Sequence, residues 1–185
     1  MAQEVISVFG SSSPPPGSET YEEARQVGRL LAEAGFVVAT GGYSGTMAAV
    51  SQGAAEAGGH VIGVTCGRIE TFRPLPPNEW VIEEVRYESQ RDRLLHLVMN
   101  NDGMVALPGG IGTLSEVALA WSLMQTGELS PRPLVLLGPT WRETLRVYAQ
   151  AEYIRPRDMD LLYLATSAET ATAYIKQHFA SHGGR

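Results

Sequence analysis

The stretch Gly103-Met104-Val105-Ala106-Leu107-Pro108-Gly109-Gly110-Ile111-Gly112-Thr113-Leu114-Ser115-Glu116 decides the fold class. Its first five residues are small or apolar throughout, the pattern of a strand buried on both faces. Pro108 and the glycines then end regular structure. From about Gly112 to Gln125 the apolar positions Leu114, Val117, Ala118 and Trp121 return at helical spacing, which predicts a helix with that face inward. A strand that empties through a glycine-rich turn into a helix is a ready anion site. Gly109, Gly110 and Gly112 let backbone come close to a ligand, and the helix start offers free amides and the positive end of its dipole. Thr113 adds a hydroxyl donor. Glu116 follows about one turn later, on the side of Gly112 and Thr113. The bland reading of Glu116 is a carboxylate favoured by the helix dipole; three glycines ahead of it favour a functional one.

The same unit recurs outward from this stretch. Glu4–Gly10 predicts a strand that ends in Gly10-Ser11-Ser12-Ser13, and Ser18 caps a helix with Ala24, Val27, Leu31 and Ala34 inward, stopped by Gly35. Phe36–Thr40 is a second strand, ending in Gly41-Gly42-Tyr43-Ser44-Gly45, and Thr46–Ala57 a second helix. A strand over His60–Val64 leads into Thr65–Asn78, where Pro74, Pro76 and Pro77 forbid regular structure and a mobile flap is expected. Further strands are expected at Trp80–Val85, Pro133–Leu137 and Leu162–Ala165. Helices are expected at Glu88–Asn100, with Leu94, Leu95, Val98 and Met99 inward, at Trp141–Ala151 and, capped by Ser167, at Ser167–Ser181. Alternating strands and helices need parallel pairing, because a parallel pair needs a helix-length return. The expected fold is α/β: a Rossmann-like, doubly wound, mainly parallel sheet of about six or seven strands flanked by helices, as a single nucleotide-binding domain over residues 1–185. In such a sheet the loops after the strands converge at the topological switch.

Composition narrows the ligand. The 185 residues are 44% hydrophobic and 18% charged, with a formal net charge of −6, which argues against nucleic acid or anionic membrane as partner. No apolar run reaches the roughly 20 residues of a membrane helix. Cys66 is the single cysteine, without Cys or His neighbours at ligand spacing, so a reducing, cytoplasmic setting and no metal are expected. Gly41-Gly42-x-x-Gly45 does not have the dinucleotide spacing, and Thr40 stands where an acid closes that strand's fingerprint. Gly110 to Thr113 is not followed by the Lys-Ser or Lys-Thr of a P-loop. The loops Gly10-Ser11-Ser12 and Gly41-Gly42-Gly45-Thr46 are therefore candidate contacts for base, ribose or phosphate without naming a cofactor; none is expected. Glu83 to Arg93 is dense in charge, most of it read as a solvated helix surface with ion pairs. One early-turn arginine there is placed to lean toward the next loop and fork onto phosphate or carboxylate.

These residues together resemble the LONELY GUY (LOG) family, often labelled "possible lysine decarboxylase", whose signature is P-G-G-x-G-T-x-x-E with an arginine upstream. Pro108, Gly109, Gly110, Gly112, Thr113 and Glu116 match every fixed position, and counting back without a gap places Arg93 on the family's functional arginine and Asp102 on its pre-strand aspartate. The resemblance spans about Val5 to Leu137. Leu94 stands where the family usually has lysine, and Tyr43-Ser44-Gly45-Thr46-Met47-Ala48 departs from its usual G-x-x-G-L-M-G. The resemblance implies hydrolysis of the N-glycosidic bond of a nucleoside 5′-monophosphate, of AMP or N6-modified AMP type, by a homodimer. Glu116 and Arg93 are then catalytic, and the three glycine loops bind substrate. The rival reading is a non-catalytic binder or carrier of a phosphorylated ligand such as a nucleotide or molybdenum cofactor. Lysine decarboxylation is rejected, because it needs a Schiff-base lysine and Lys176 in the terminal helix is the only one.

Overall fold

A computed structural model describes residues 3–72, 74–150 and 153–182. Seven strands, β1 (Val5–Phe9), β2 (Val37–Thr40), β3 (Val61–Cys66), β4 (Glu83–Tyr87), β5 (Gly103–Ala106), β6 (Leu134–Leu137) and β7 (Tyr163–Ala165), form one sheet in the order β4-β3-β2-β1-β5-β6-β7. Every pairing is parallel. The helices are α1 (Glu19–Glu33), α2 (Thr46–Glu56), α3 (Gly67–Phe72), α4 (Gln90–Met99), α5 (Ile111–Thr126), α6 (Pro139–Gln150), α7 (Pro156–Met159) and α8 (Ala168–His182).

Strand side chains alternate between two cores, as a period of two requires. Ile6, Val8, Val105, Leu107, Val135 and Leu137 face one side, under α1, α2 and α8. Phe9, Met104, Ala106, Leu134 and Leu136 face the other, against Leu97, Val98, Val117, Ala120, Trp141 and Leu145 of α4, α5 and α6. With both faces covered, the central strands have no solvated side and read as continuous apolar runs. The chain builds outward from β1 to β4, then returns to place β5 on the other side of β1. The switch thus lies between β1 and β5, and the loops that leave them part to open a crevice there. Asp102 Oδ2 accepts the Val5 amide at 2.8 Å and sets the start of β5 beside the start of β1.

Several boundaries differ from expectation, each for a local reason. β4 begins at Glu83 rather than Trp80, because Asn78 holds a turn: its carbonyl accepts from Val81 N–H and its Oδ1 from Trp80 N–H. β4 is an edge strand that carries Glu83, Glu84 and Arg86, charges suited to an exposed edge. The expected flap is regular from Thr65 to Phe72, since β3 continues to Cys66 by pairing with β4 and α3 follows at once. The expected helix at Trp141–Ala151 starts earlier, at Pro139, and Ala151 lies outside the described residues. α4 and α5 are rotated from the expected faces. Arg93, Leu97 and Val98 are the buried residues of α4, whereas Leu95 and Met99 are exposed. On α5 Thr113, Glu116, Val117, Ala120 and Met124 turn inward, and Leu114 and Ala118 face out. Trp121 stays half-buried, its Nε1 donating to the Asp158 carbonyl of α7. No helix among the described residues is long and apolar enough to cross a membrane.

Candidate functional site

A cleft of about 480 Å³ opens at the carboxyl ends of β1 and β5, with the Gly10–Ser13 loop on one side and Gly110–Thr113 on the other. Gly110 stands at the cap position before α5 and offers no side chain to cap it, unlike Ser18 and Ser89 before α1 and α4. Gly110 and Gly112 look into open space: a Cβ on either meets nothing within 4 Å. The first-turn amides of a 16-residue helix are thus presented at the cleft wall, where the macrodipole favours an anion.

The three loops lock together through their carbonyls. Thr113 Oγ1 donates to Gly10 O at 3.0 Å, Thr46 N–H and Oγ1 both donate to Ser11 O, and Ser44 Oγ donates to Ser12 O at 3.1 Å. Each planar trans peptide sends the next N–H the opposite way, so carbonyls tied back to the second loop and α5 leave the amides of Ser11–Ser13 facing away from those ties. The Ser13 amide meets the Ser11 hydroxyl at 3.1 Å.

Behind this polar rim sit the two ionisable groups. Ser89 caps α4 by accepting from the Asp92 amide, which turns Asp92 outward and Arg93 inward, 4% exposed. Arg93 Nε donates to Val64 O at 2.7 Å and its Nη2 to Gly41 O at 3.2 Å, so two backbone carbonyls hold the guanidinium. Its Nη1 lies 3.9 Å from Glu116 Oε1, close enough for attraction but too far for a hydrogen bond. Burial pushes the Glu116 carboxyl up to about 7, and the charge of Arg93 pulls it back only in part. A carboxyl poised near neutrality and facing a cleft is the arrangement proton-transfer chemistry uses.

The sequence-derived candidates divide into two groups. Gly10, Ser11, Ser12, Gly110, Gly112, Thr113, Glu116 and Arg93 line the cleft. The others stand behind it. Gly41 has room for Arg93 only because it lacks a side chain: a Cβ there collides with Nη2 and with Met47 Sδ. Gly45, at φ +67°, backs directly onto Ser11 and Ser12. Gly42 packs on β3 and its carbonyl accepts both the amide and Nδ2 of Asn78. Thr46 is fully buried, Gly109 packs on Thr113, and Pro108 sits half-buried beside Gly138. The cleft's remaining wall was left unassigned by the sequence: Tyr43, Met47, Ile69, Phe72, Leu75 and Ile111 make it largely apolar. The signal for it was present, since Ile69, Phe72 and Leu75 are apolar residues in a segment that follows a strand's carboxyl end. Lys176 is exposed on α8 beside Leu30 and Glu33 of α1, outside the cleft. Among the described residues no three His, Cys, Asp or Glu side chains gather as a metal-ligand set.

Comparison with known proteins shows the family and the fold. Residues 3–143 match the SLOG cluster4 family. A cytokinin riboside 5′-monophosphate phosphoribohydrolase of Arabidopsis thaliana is 32% identical over 184 residues, covering 96% of this chain and 84% of its own. One from Mycobacterium tuberculosis is 28% identical over 173 residues, 90% of each chain. Among solved structures, the molybdenum cofactor binding protein of Rippkaea orientalis superposes with a TM-score of 0.76 at 27% identity, covering 97% of this chain and 99% of that one. The chain therefore belongs to the SLOG cluster4 family and is a member of the LOG family.

Proposed function

We propose that the protein hydrolyses the N-glycosidic bond of a nucleoside 5′-monophosphate, AMP or an N6-modified AMP, to free base and ribose 5-phosphate. The observation that carries this reading is Glu116: a buried carboxyl raised to about 7, beside a fixed arginine and one helical turn from an uncapped glycine-rich helix start. The amides of that start, with the Ser11–Ser13 loop, bind the 5′-phosphate, and Thr113, whose hydroxyl proton goes to Gly10 O, ties those two walls together. The ribose then lies over Glu116. As the C1′–N bond breaks, positive charge grows on the ribose, and the Glu116 carboxylate stabilises it and takes a proton from the attacking water, whose hydroxyl joins C1′ while the departing base gains its proton from solvent. Arg93, held by Val64 O and Gly41 O, keeps its Nη1 toward Glu116 and the phosphate side of the cleft. The apolar wall takes the base.

Chromatography of free base after incubation with a panel of nucleoside monophosphates tests the reaction. Wild type is expected to release base from AMP or an N6-substituted AMP. Glu116→Gln, which keeps the shape of the side chain, is expected to lower turnover by at least roughly a hundredfold with its fold intact. Unchanged turnover in that variant ends the assignment. The second reading, a carrier of a phosphorylated ligand such as a nucleotide or molybdenum cofactor, is favoured by the likeness to the Rippkaea orientalis protein; thermal-shift binding without base release selects it. We further read the protein as a homodimer, with the exposed Leu95, Met99 and Leu114 of the neighbouring helices α4 and α5 as the apolar face. Light scattering of the eluted protein decides that.

A further inference from the structure

The apolar wall has an unusual support. α3 is six residues long and buries none of them, so neither intrinsic helicity nor packing accounts for its position. Yet its Ile69 and Phe72 face the cleft. Glu70, on the same turn, reaches back in two directions. Its carboxylate forms a two-point pair with Arg86 of β4, both contacts at 2.6 Å, and its Oε1 lies 3.2 Å from the hydroxyl of Tyr43.

Tyr43 is the member of this chain that also belongs to the site. It is 3% exposed, its ring lines the cleft, and the Arg93 guanidinium carbon lies 5.8 Å from the ring centroid. Its hydroxyl accepts the Cys66 amide at 2.8 Å, which fixes the oxygen at the junction of β3 and α3. The single phenolic proton then has two acceptors at 3.2 Å, Cys66 O and Glu70 Oε1. Asn78 secures the other end of the segment, its Nδ2 donating to the carbonyls of Gly42 and Tyr43. One residue of the second glycine loop thus touches the floor of the cleft through its ring, the start of α3 through Cys66, and the middle of α3 through Glu70.

We propose that Tyr43 is a positioning residue: its hydroxyl latches α3 through Glu70 and so sets where Ile69 and Phe72 meet the base of a bound nucleotide. This rests on the nucleotide reading above. The phosphate end of the cleft is built from the Ser11–Ser13 loop and the start of α5, and it is tied to the second loop through Ser44 and Thr46 rather than through the Tyr43 hydroxyl. Loss of the hydroxyl therefore weakens recognition of the base and leaves recognition of ribose phosphate alone.

Tyr43→Phe removes the hydroxyl and keeps the ring over Arg93. Hydrogen exchange of the residue 67–72 amides is expected to speed up about tenfold, the size of one lost hydrogen bond, with exchange in β1 and β5 unchanged. KM for the nucleoside monophosphate is expected to rise by a similar factor, about five- to tenfold, at constant kcat. Affinity for ribose 5-phosphate stays as in wild type. Glu70→Ala, which leaves the Tyr43–Cys66 bonds in place, is expected to reproduce the faster exchange and the KM rise. Unchanged exchange in residues 67–72 in both variants, or a uniform loss of stability with KM and kcat unaffected, overturns the latch. A wild-type protein that turns over no nucleotide refutes the proposed reaction instead, and the exchange data still decide the latch.

Discussion

Burying a guanidinium is costly unless its protons are taken up, and Arg93 meets that condition with the carbonyls of Val64 and Gly41 rather than with a carboxylate. The fork matters more than the charge. Lysine in its place carries the same charge as a point, with no planar array to reach two carbonyls, one on β3 and one in the loop after β2. Arg93→Lys is therefore expected to cost about 2–3 kcal/mol in urea unfolding, because at least one buried carbonyl is left without its donor. It is also expected to lower kcat/KM with the nucleotide, because Nη1 is no longer held opposite Glu116. Equal stability of the two proteins would mean that the carbonyls find other partners. Glu116 was readable by its place one turn after the glycines, whereas spacing gave only an early-turn arginine on α4, and it was the resemblance to the LOG family, counted back without a gap from the motif, that singled out Arg93. Tyr43 was not, since its contacts come from Cys66, Glu70 and Arg93, which lie 23, 27 and 50 residues away, and no local pattern encodes them.

At the scale of elements, strand and helix identity followed from periodicity, whereas helix rotation did not. α5 reads as inward at Leu114 and Ala118 on apolarity, yet the helix turns Thr113 and Glu116 to the interior instead. The reason is the polar work at its start. Thr113 is 3% exposed and donates to Gly10 O, tying α5 to the loop after β1. That bond fixes the helix about its axis, and Leu114 is left 50% exposed as a consequence. Thr113→Val keeps the shape and removes the donor. It is expected to destabilise the protein by about 1 kcal/mol and to raise KM several-fold, since Gly10 O loses its partner and the phosphate loop loses its tie to the helix. Parallel urea-unfolding and kinetic measurements check both; a change in stability with KM unaltered would confine the bond to a structural role. α3 was hidden for a related reason. Three prolines dominate the reading of residues 65–78, but they lie beyond the helix, and α3 is placed by the Cys66 and Glu70 contacts rather than by helical propensity.

For the molecule as a whole, the strand order puts β1 and β5 side by side, so the crevice, the uncapped start of α5 and the buried Glu116 are products of one topology. The position of the site was legible for that reason: a doubly wound sheet has one switch, and both glycine-rich loops that flank it follow the strands there. The same topology makes Glu116 a global term in stability. Its carboxyl is raised by burial from an ordinary 4.5 to about 7 in the folded protein. Below pH 4.5 both folded and unfolded chains hold the proton, and the group contributes no slope. Between 4.5 and 7 the unfolded chain releases it while the folded chain keeps it, so stability falls as pH rises. Above 7 both are ionised and the loss is complete, about 3 kcal/mol in all for a shift of this size. Glu116→Gln has no proton to lose. The difference in unfolding free energy between wild type and this variant, taken at each pH, cancels the other carboxylates and should drift by about that amount from pH 4.5 to 8, wild type losing ground as pH rises. If Glu116 acts as the ionised group in the reaction, kcat/KM of wild type rises over the same interval and levels above pH 7. Activity is then gained in the range where stability is given up. A flat stability difference with pH would place the Glu116 carboxyl at its ordinary value and remove the basis for proton transfer at this position.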